Sequence, residues 1–290
     1  MKIDKKIYLI AGIALGAVLL ILIAIGILFN TLGVDSFDDI KARMALNKGV
    51  TAFSAANYQI AARHFEDASS LDPELSDAKV YLAYSTMMQY QPGFDYPENV
   101  AIAEKALDGF KDVLKGDPSN STALQSIASL YFQMKRMEMA KEWHQKVLDV
   151  LPENKESHYT IGVICWTQSY EPRLEFRAEI GMSQEDPGPI RTRGRLNRNR
   201  REALTEVAGE VVPLIDQGLE SLERAINIDP DYDDAMAYVN LLYREKADFA
   251  ETNDEYDDLL AQADEWVQRA LDTRKRKAEE STVETFTTDE

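Results

Sequence analysis

Four prolines divide the chain at a nearly regular interval. Pro73, Pro118 and Pro230 stand in Leu-Asp-Pro, Gly-Asp-Pro and Ile-Asp-Pro strings and Pro152 in Leu-Pro, each closing a stretch with helical apolar periodicity. Proline cannot continue a helix and pushes the residue before it out of the helical region, so each of the four marks a helix end. From Pro118 to Pro152 is 34 residues, and the other gaps, 45 and 78, are that period lengthened by 11 and by 44. A repeat of roughly 20 to 50 residues is the mark of stacked copies of one small unit, each too small to bury its apolar face alone.

The residues between the prolines keep the same register. Counted from Ser121, positions 4, 7, 8, 11, 20, 24, 27 and 32 hold Leu124, Ile127, Ala128, Tyr131, Ala140, His144, Val147 and Pro152 without a gap. An earlier copy carries Gly49, Ala61, Phe65, Ala68 and Pro73, and the next has Leu82 and Ala83, then Ala106, Phe110, Val113 and Pro118. A fourth opens with Ile161 and Gly162 and closes with Gly218, Leu222, Ala225 and Pro230; a fifth runs from Met236, Val239 and Tyr243 to Ala263, Val267 and Ala270. Small residues at 8, 20 and 27 let two helices approach closely, and large ones at 7, 11 and 24 fill the space between copies. This pattern resembles the tetratricopeptide repeat, departing from it at Lys48, where Leu is usual, and at His144, where an aromatic is usual. The resemblance implies an all-α, right-handed α-solenoid of about five helix pairs, which presents a binding surface and brings no chemistry of its own.

The register gives domain limits. Residues 1–34 read as a cytoplasmic tail and membrane helix, and residues 35–278 as the solenoid. Its repeats fall at about 42–75, 76–120, 121–154, 155–232 and 233–278, with insertions at about 90–100, 171–205 and 248–257. The second-repeat insertion, Gln91 to Pro97, is turn-forming with two aromatics. The fourth-repeat insertion opens with Pro172, Pro187, Gly188 and Pro189 and continues into Arg191, Arg193, Arg195, Arg198, Arg200 and Arg201. From about Arg200 the pattern is helical again to Ile228, with Pro213 as a kink point. Residues 279–290 are polar and acidic and read as a disordered tail.

Ile7 to Phe29 is 23 residues without a charge. About 20 helical residues cross a bilayer core, whereas the apolar part of a signal peptide has about 7 to 15, so the stretch reads as an uncleaved single transmembrane helix. Gly12 and Gly16 form a GxxxG pair on one face, which suits close packing of two spans. Lys5 and Lys6 abut the span on one side, and Asp35, Asp38 and Asp39 follow it on the other. That asymmetry places the N-terminus in the cytoplasm and the repeats outside the inner membrane.

Composition narrows the function. A net charge of −18 argues against nucleic acid as a partner. The single cysteine, Cys165, excludes an internal disulfide and falls at packing position 11. The three histidines, His64, His144 and His158, have neither HExxH nor cysteine-pair spacing around them, and no phosphate-binding or nucleophile-elbow motif is present. The expectation is therefore a non-enzymatic protein without cofactor or metal, with the charge run at Asp254 to Asp258 a solvated face.

With Gly162, Trp166, Arg177, Gly181 and the Asp186 to Pro189 string, the stretch from Asp231 to Asp248 resembles a group of bacterial tetratricopeptide proteins of unassigned function. That resemblance spans roughly residues 155–271 and implies a bacterial source and an ordered insertion. Anchor plus solenoid is also similar to envelope chaperone-scaffolds beside secretion machinery. In the wider family the first helices of the repeats line a concave groove through positions 2, 5, 9, 12 and 13. Those positions here give Val80, Tyr84, Met87 and Met88, then Gln125, Ser129, Phe132 and Gln133, then Tyr159, Val163 and Trp166. The Lys and Asn clamp that chaperone-binding members use for a C-terminal carboxylate is missing. The groove is apolar and aromatic and suits a peptide or helix laid in by its apolar side chains; the alternative is that the insertions fill it and these residues are core. The expected partner-binding residues are Tyr84, Met87, Phe132, Tyr159 and Trp166, with Arg191, Arg193, Arg195 and Arg198 as a second contact. Those arginines suit an acidic partner or lipid headgroups, or pair with acidic helices of this chain. A membrane-tethered scaffold or chaperone-like adaptor in the bacterial envelope follows; a self-assembling homo-oligomer or filament is its rival.

Overall fold

The computed structural model describes residues 37–183, 185–192 and 196–287. The expected span Ile7 to Phe29 with its GxxxG pair, and Arg193 and Arg195, lie outside the described residues. Among the described residues, no helix is long and apolar enough to cross a membrane.

The described residues form ten helices in five consecutive pairs. They are α1 (Phe37–Ser54) with α2 (Tyr58–Leu71), α3 (Ser76–Met87) with α4 (Pro97–Gly116), α5 (Ser121–Gln133) with α6 (Met137–Val150), α7 (Lys155–Glu179) with α8 (Arg198–Ile228), and α9 (Asp233–Ala247) with α10 (Asn253–Thr287). The prolines end helices by one local device. Asp72, Asp117 and Asp229 are the residues after α2, α4 and α8, and proline holds each in extended backbone, with φ of −135°, −135° and −127°. Each aspartate then accepts a hydrogen bond from the backbone N–H two residues on, at Glu74, Ser119 and Asp231, at 3.0 to 3.1 Å. The Asp-Pro string is therefore both a stop and an Asx-turn.

The helices fall into two compact units, one ending at Ser126 and the other beginning at Ile127. In the first, α1 packs on α2, α2 on α3 and α3 on α4. Gly49 of α1 faces the fully buried Phe65 of α2 so closely that a Cβ on Gly49 would lie 2.5 Å from the ring. Asn99, fully buried in α4, ties the second-repeat insertion down. It accepts from the Gln91 N–H at 2.9 Å and donates to the carbonyls of Gln91 (2.8 Å) and Phe94 (2.6 Å).

In the second unit α7 and α8 make the largest helix pair, and α9 packs against both. Its core joins Leu204, Ile215, Leu222, Ala225, Met236, Val239 and Leu242, all at most 2% exposed. A Cβ on Gly162 would meet Leu222 at 2.4 Å, and one on Gly218 would meet Leu242 at 2.7 Å and Cys165 at 3.0 Å. The small residues at positions 8 and 20 are thus required by contact.

Two expectations need correcting. The fourth-repeat insertion is not a loop from Glu171: α7 continues through Pro172 to Glu179, and only residues 180–197 connect it to α8. Proline sacrifices one backbone hydrogen bond, but Arg173, Phe176 and Arg177 beyond it share one buried face, at 8%, 3% and 2% exposure, and their packing outweighs it. The connection is itself ordered by Met182, Ile190 and Leu196, all buried, and by the Ile190 N–H donating to the Asp248 carbonyl at 2.8 Å. The expected disordered tail from Glu279 is also displaced, because α10 continues to Thr287. Its Arg276 pairs with Glu280 one turn on at 3.2 Å, while Arg274 and Lys277 reach back to Asp233 at the start of α9, at 2.6 and 2.7 Å. Those anchors and the good helix formers Ala278 to Glu280 carry the helix on.

Candidate protein-interaction site

Two of the expected groove residues belong to a larger arrangement in the second unit. Tyr159, Trp166 and Tyr170 lie on one face of α7 at helical spacing, and Tyr232 and Tyr238 enter from the start of α9. Their rings form a continuous ladder. Tyr232 lies 5.0 Å from Tyr159, Tyr159 5.7 Å from Tyr238, Tyr238 5.4 Å from Trp166, and Trp166 5.4 Å from Tyr170, centroid to centroid. Tilted and edge-on contacts at this separation are the favoured aromatic geometries. One side of the ladder packs on the core, and all five residues are half-buried. Burial, reinforced by Asp234, pushes the Tyr159 phenol up, and burial with Glu156, Asp234 and Asp229 pushes Tyr232 up to about 12. Both are neutral donors at physiological pH.

The ladder ends at a cleft of about 330 Å³ lined by Trp166, Tyr170, Tyr256 and Leu260, with Glu185, Asp186 and Pro187 from the insertion. Its floor is a buried polar network. Asp248 accepts from Arg173 and Arg177, each at 2.5 Å, and Arg177 also donates to the carbonyls of Ser183 (2.8 Å) and Asp186 (2.7 Å). Beside them Ser169 donates to Glu245 at 2.6 Å. Glu245 is 3% exposed, and burial pushes its carboxyl up to about 7 against the pull of Ser169, Arg173 and Trp166. The network holds the insertion against α7 and α9, which gives the cleft a fixed wall.

The other expected residues are placed as follows. Tyr84 is in the first unit, half-buried, 5.7 Å from Phe53, which in turn lies 5.2 Å from Tyr58. Met87 closes α3 and is half-buried. Phe132 is half-buried in the second unit, outside the ladder. Arg191 pairs with Glu251 at 3.1 Å, and Arg198, 90% exposed, with Glu202 at 2.9 Å. His144 is buried against the Ser157 hydroxyl at 3.0 Å, and desolvation lowers it to about 4; Cys165 is buried, which pushes its thiol up. Tyr170, Tyr232 and Tyr238 were not expected at the site. Their signal was present: Tyr170 continues the Tyr159–Trp166 spacing, and the two others stand in the distinctive stretch from Asp231 to Asp248.

The family model for the tetratricopeptide repeat matches residues 121–154, the copy that keeps the register without a gap. The chain carries a tetratricopeptide repeat at these residues. Solved structures of similar fold include a crystal structure of the MamA protein, with a TM-score of 0.54 at 14% identity, covering 82% of this chain and 94% of that one. MamA from Desulfovibrio magneticus RS-1 matches with a TM-score of 0.53 at 12% identity, covering 81% and 96%. At such identities the likeness is one of fold. No curated protein matches the sequence.

Proposed function

We propose that this chain is a tetratricopeptide-type, non-enzymatic scaffold or adaptor that binds a protein segment on the aromatic face shared by α7 and α9. It is tethered to the inner membrane of a bacterial envelope by Ile7 to Phe29, N-terminus in the cytoplasm and repeats outside. The observation that carries the binding reading is the ladder, since five aromatic residues left half-open in a row form the kind of surface at which interface energy concentrates. The tether rests on the uncharged 23-residue stretch. The Arg191 to Arg201 segment is a second, salt-sensitive contact. Self-assembly is the rival reading, because GxxxG pairing and stacking of repeats would each join copies.

A photo-crosslinking residue placed at Tyr159 or Tyr238 in membranes is expected to capture a different protein, and one placed at the exposed Arg224 of α8 is not. Crosslinks only between copies of this chain would replace the scaffold by the self-assembly reading. Equal capture at all positions would remove the ladder from the site. Protease added to spheroplasts is expected to digest the repeats; protection until lysis would reverse the topology.

A further inference from the structure

The ladder offers a particular chemistry. The faces of aromatic rings attract cations through the ring quadrupole, and the chain already uses this at both ends. Lys155 lies over Tyr232 at 5.3 Å and Arg173 over Tyr170 at 5.5 Å. Among the described residues, no lysine or arginine lies over the middle rings, Tyr159, Tyr238 and Trp166. The charges around the ladder are also unbalanced in one direction. Lys155 pairs with Asp229 at 2.7 Å, Arg173 and Arg177 share Asp248, each at 2.5 Å, and Arg244 on the cleft lining donates to Asp264 at 2.5 Å and Asn240 at 2.8 Å. Each cation therefore has its acceptor within the fold. Glu156 beside Tyr232 and Glu185 on the cleft wall have no ion-pair partner among the described residues. The half-buried middle rings thus lie between two carboxylates that have no ion-pair partner among the described residues, in a chain of net charge −18.

Resting on the binding reading above, we infer that the ladder recognises a basic segment of a partner protein, with a lysine or arginine side chain lying over Tyr159, Tyr238 and Trp166. An acidic segment would meet Glu156 and Glu185 with like charge, and a purely aliphatic one would leave both carboxylates without a counterpart. The electron-rich middle rings supply the contact, and the two glutamates steer the approach.

The test uses the full chain in nanodiscs of zwitterionic lipid and three labelled peptides of equal length, in which alanine alternates with lysine, glutamine or glutamate. The lysine peptide is expected to bind at least about tenfold tighter than either of the others. Trp166→Leu and Tyr238→Leu are each expected to weaken it by about tenfold, and Trp166→Phe, which keeps a ring, by no more than about threefold. Glu156→Gln with Glu185→Gln is expected to slow association and to flatten its salt dependence around 0.1 M. If glutamine and lysine peptides bind alike and both lose affinity with Trp166→Leu, the basic specificity is overturned while the binding face survives. If the lysine peptide binds but neither ring variant changes its affinity, its attachment is elsewhere on the acidic surface and both readings fail. Should Trp166→Leu not fold, a photo-crosslinker at Tyr159 decides: adducts with the lysine peptide alone support the inference, and equal adducts with all three overturn it.

Discussion

Replacing Gly162 by alanine tests the close-approach argument most directly, because the same substitution has opposite expected signs at two helical sites. In an exposed helix interior Gly→Ala stabilises by about 1 kcal/mol. Gly209 of α8 is such a site, with nothing within 4 Å of an added Cβ, so Gly209→Ala should raise stability by up to that amount. At Gly162 the added carbon would lie 2.4 Å from Leu222 Cγ and 2.6 Å from its Cδ2. Leu222 is fully buried and the contact is at its branch point, so a rotamer change alone does not clear it. Forcing one carbon into such packing costs about 1 to 3 kcal/mol, which offsets the helix gain and leaves Gly162→Ala up to about 2 kcal/mol less stable than the parent. With about 2 to 4 °C per kcal/mol for a domain of this size, the two variants should separate by several degrees in melting followed by circular dichroism. The clash also fixes a coupling. Leu222→Ala alone should cost about 2 to 5 kcal/mol, but in its background Gly162→Ala should be neutral or stabilising. Gly162→Ala stabilising as much as Gly209→Ala, or additivity with Leu222→Ala, would refute the reasoning.

Three further outcomes follow from buried groups. His144, held near 4 when folded against an ordinary 6.5, favours the unfolded chain once protonated, so stability is complete above about 6.5 and falls as pH drops toward 4; His144→Phe should flatten that decline in urea midpoints. Glu245 acts in the opposite direction: raised to about 7, it contributes stability below about 4.5 that is lost as pH rises through 7, so Glu245→Gln should gain on the order of 2 to 3 kcal/mol at pH 8 and almost nothing at pH 4.5. Asp248→Ala leaves Arg173 and Arg177 buried without their shared carboxylate and should cost about 3 to 5 kcal/mol by chemical denaturation, with loss of protease resistance in residues 180–192.

How much was legible followed from how local each cause is. Proline stops, Asx-turns and the small residues at Gly49 and Gly162 act within one helix pair, and Gly218 adds a contact to Leu242 of the next; their meaning can be read from type and spacing. Tyr159 and Trp166 were legible for the same reason, as positions in a phased repeat. Tyr170 keeps the same spacing but stands two residues before Pro172, where the sequence ends the helix; that α7 goes on is decided by Asp248, 75 residues from Arg173 and 71 from Arg177. The end of α10 is similar: composition from Glu279 onward suggests disorder, while the ties from Arg274 and Lys277 to Asp233 come from more than 40 residues away.

The same distinction explains why the site lies where it does. A repeat of ordinary length would end α7 near Gln168, after a first helix like α5 or α9, and the ladder would stop at Trp166. The inserted residues lengthen α7 to Glu179 and α8 at its start, and they return through Ile190 to the Asp248 backbone. Extension brings Tyr170 and Arg173 into line with Trp166, and the returning connection supplies Glu185, Asp186 and Pro187 as a wall. Arg173 and Arg177 then have to be buried, and Asp248 is the carboxylate that makes their burial tolerable. Stability and site are therefore one construction in the fourth repeat. A variant that deletes residues 171–214, the 44 residues by which the Pro152 to Pro230 interval exceeds the 34-residue period, should keep its helical spectrum yet lose the cleft, so binding through the ladder should weaken without unfolding.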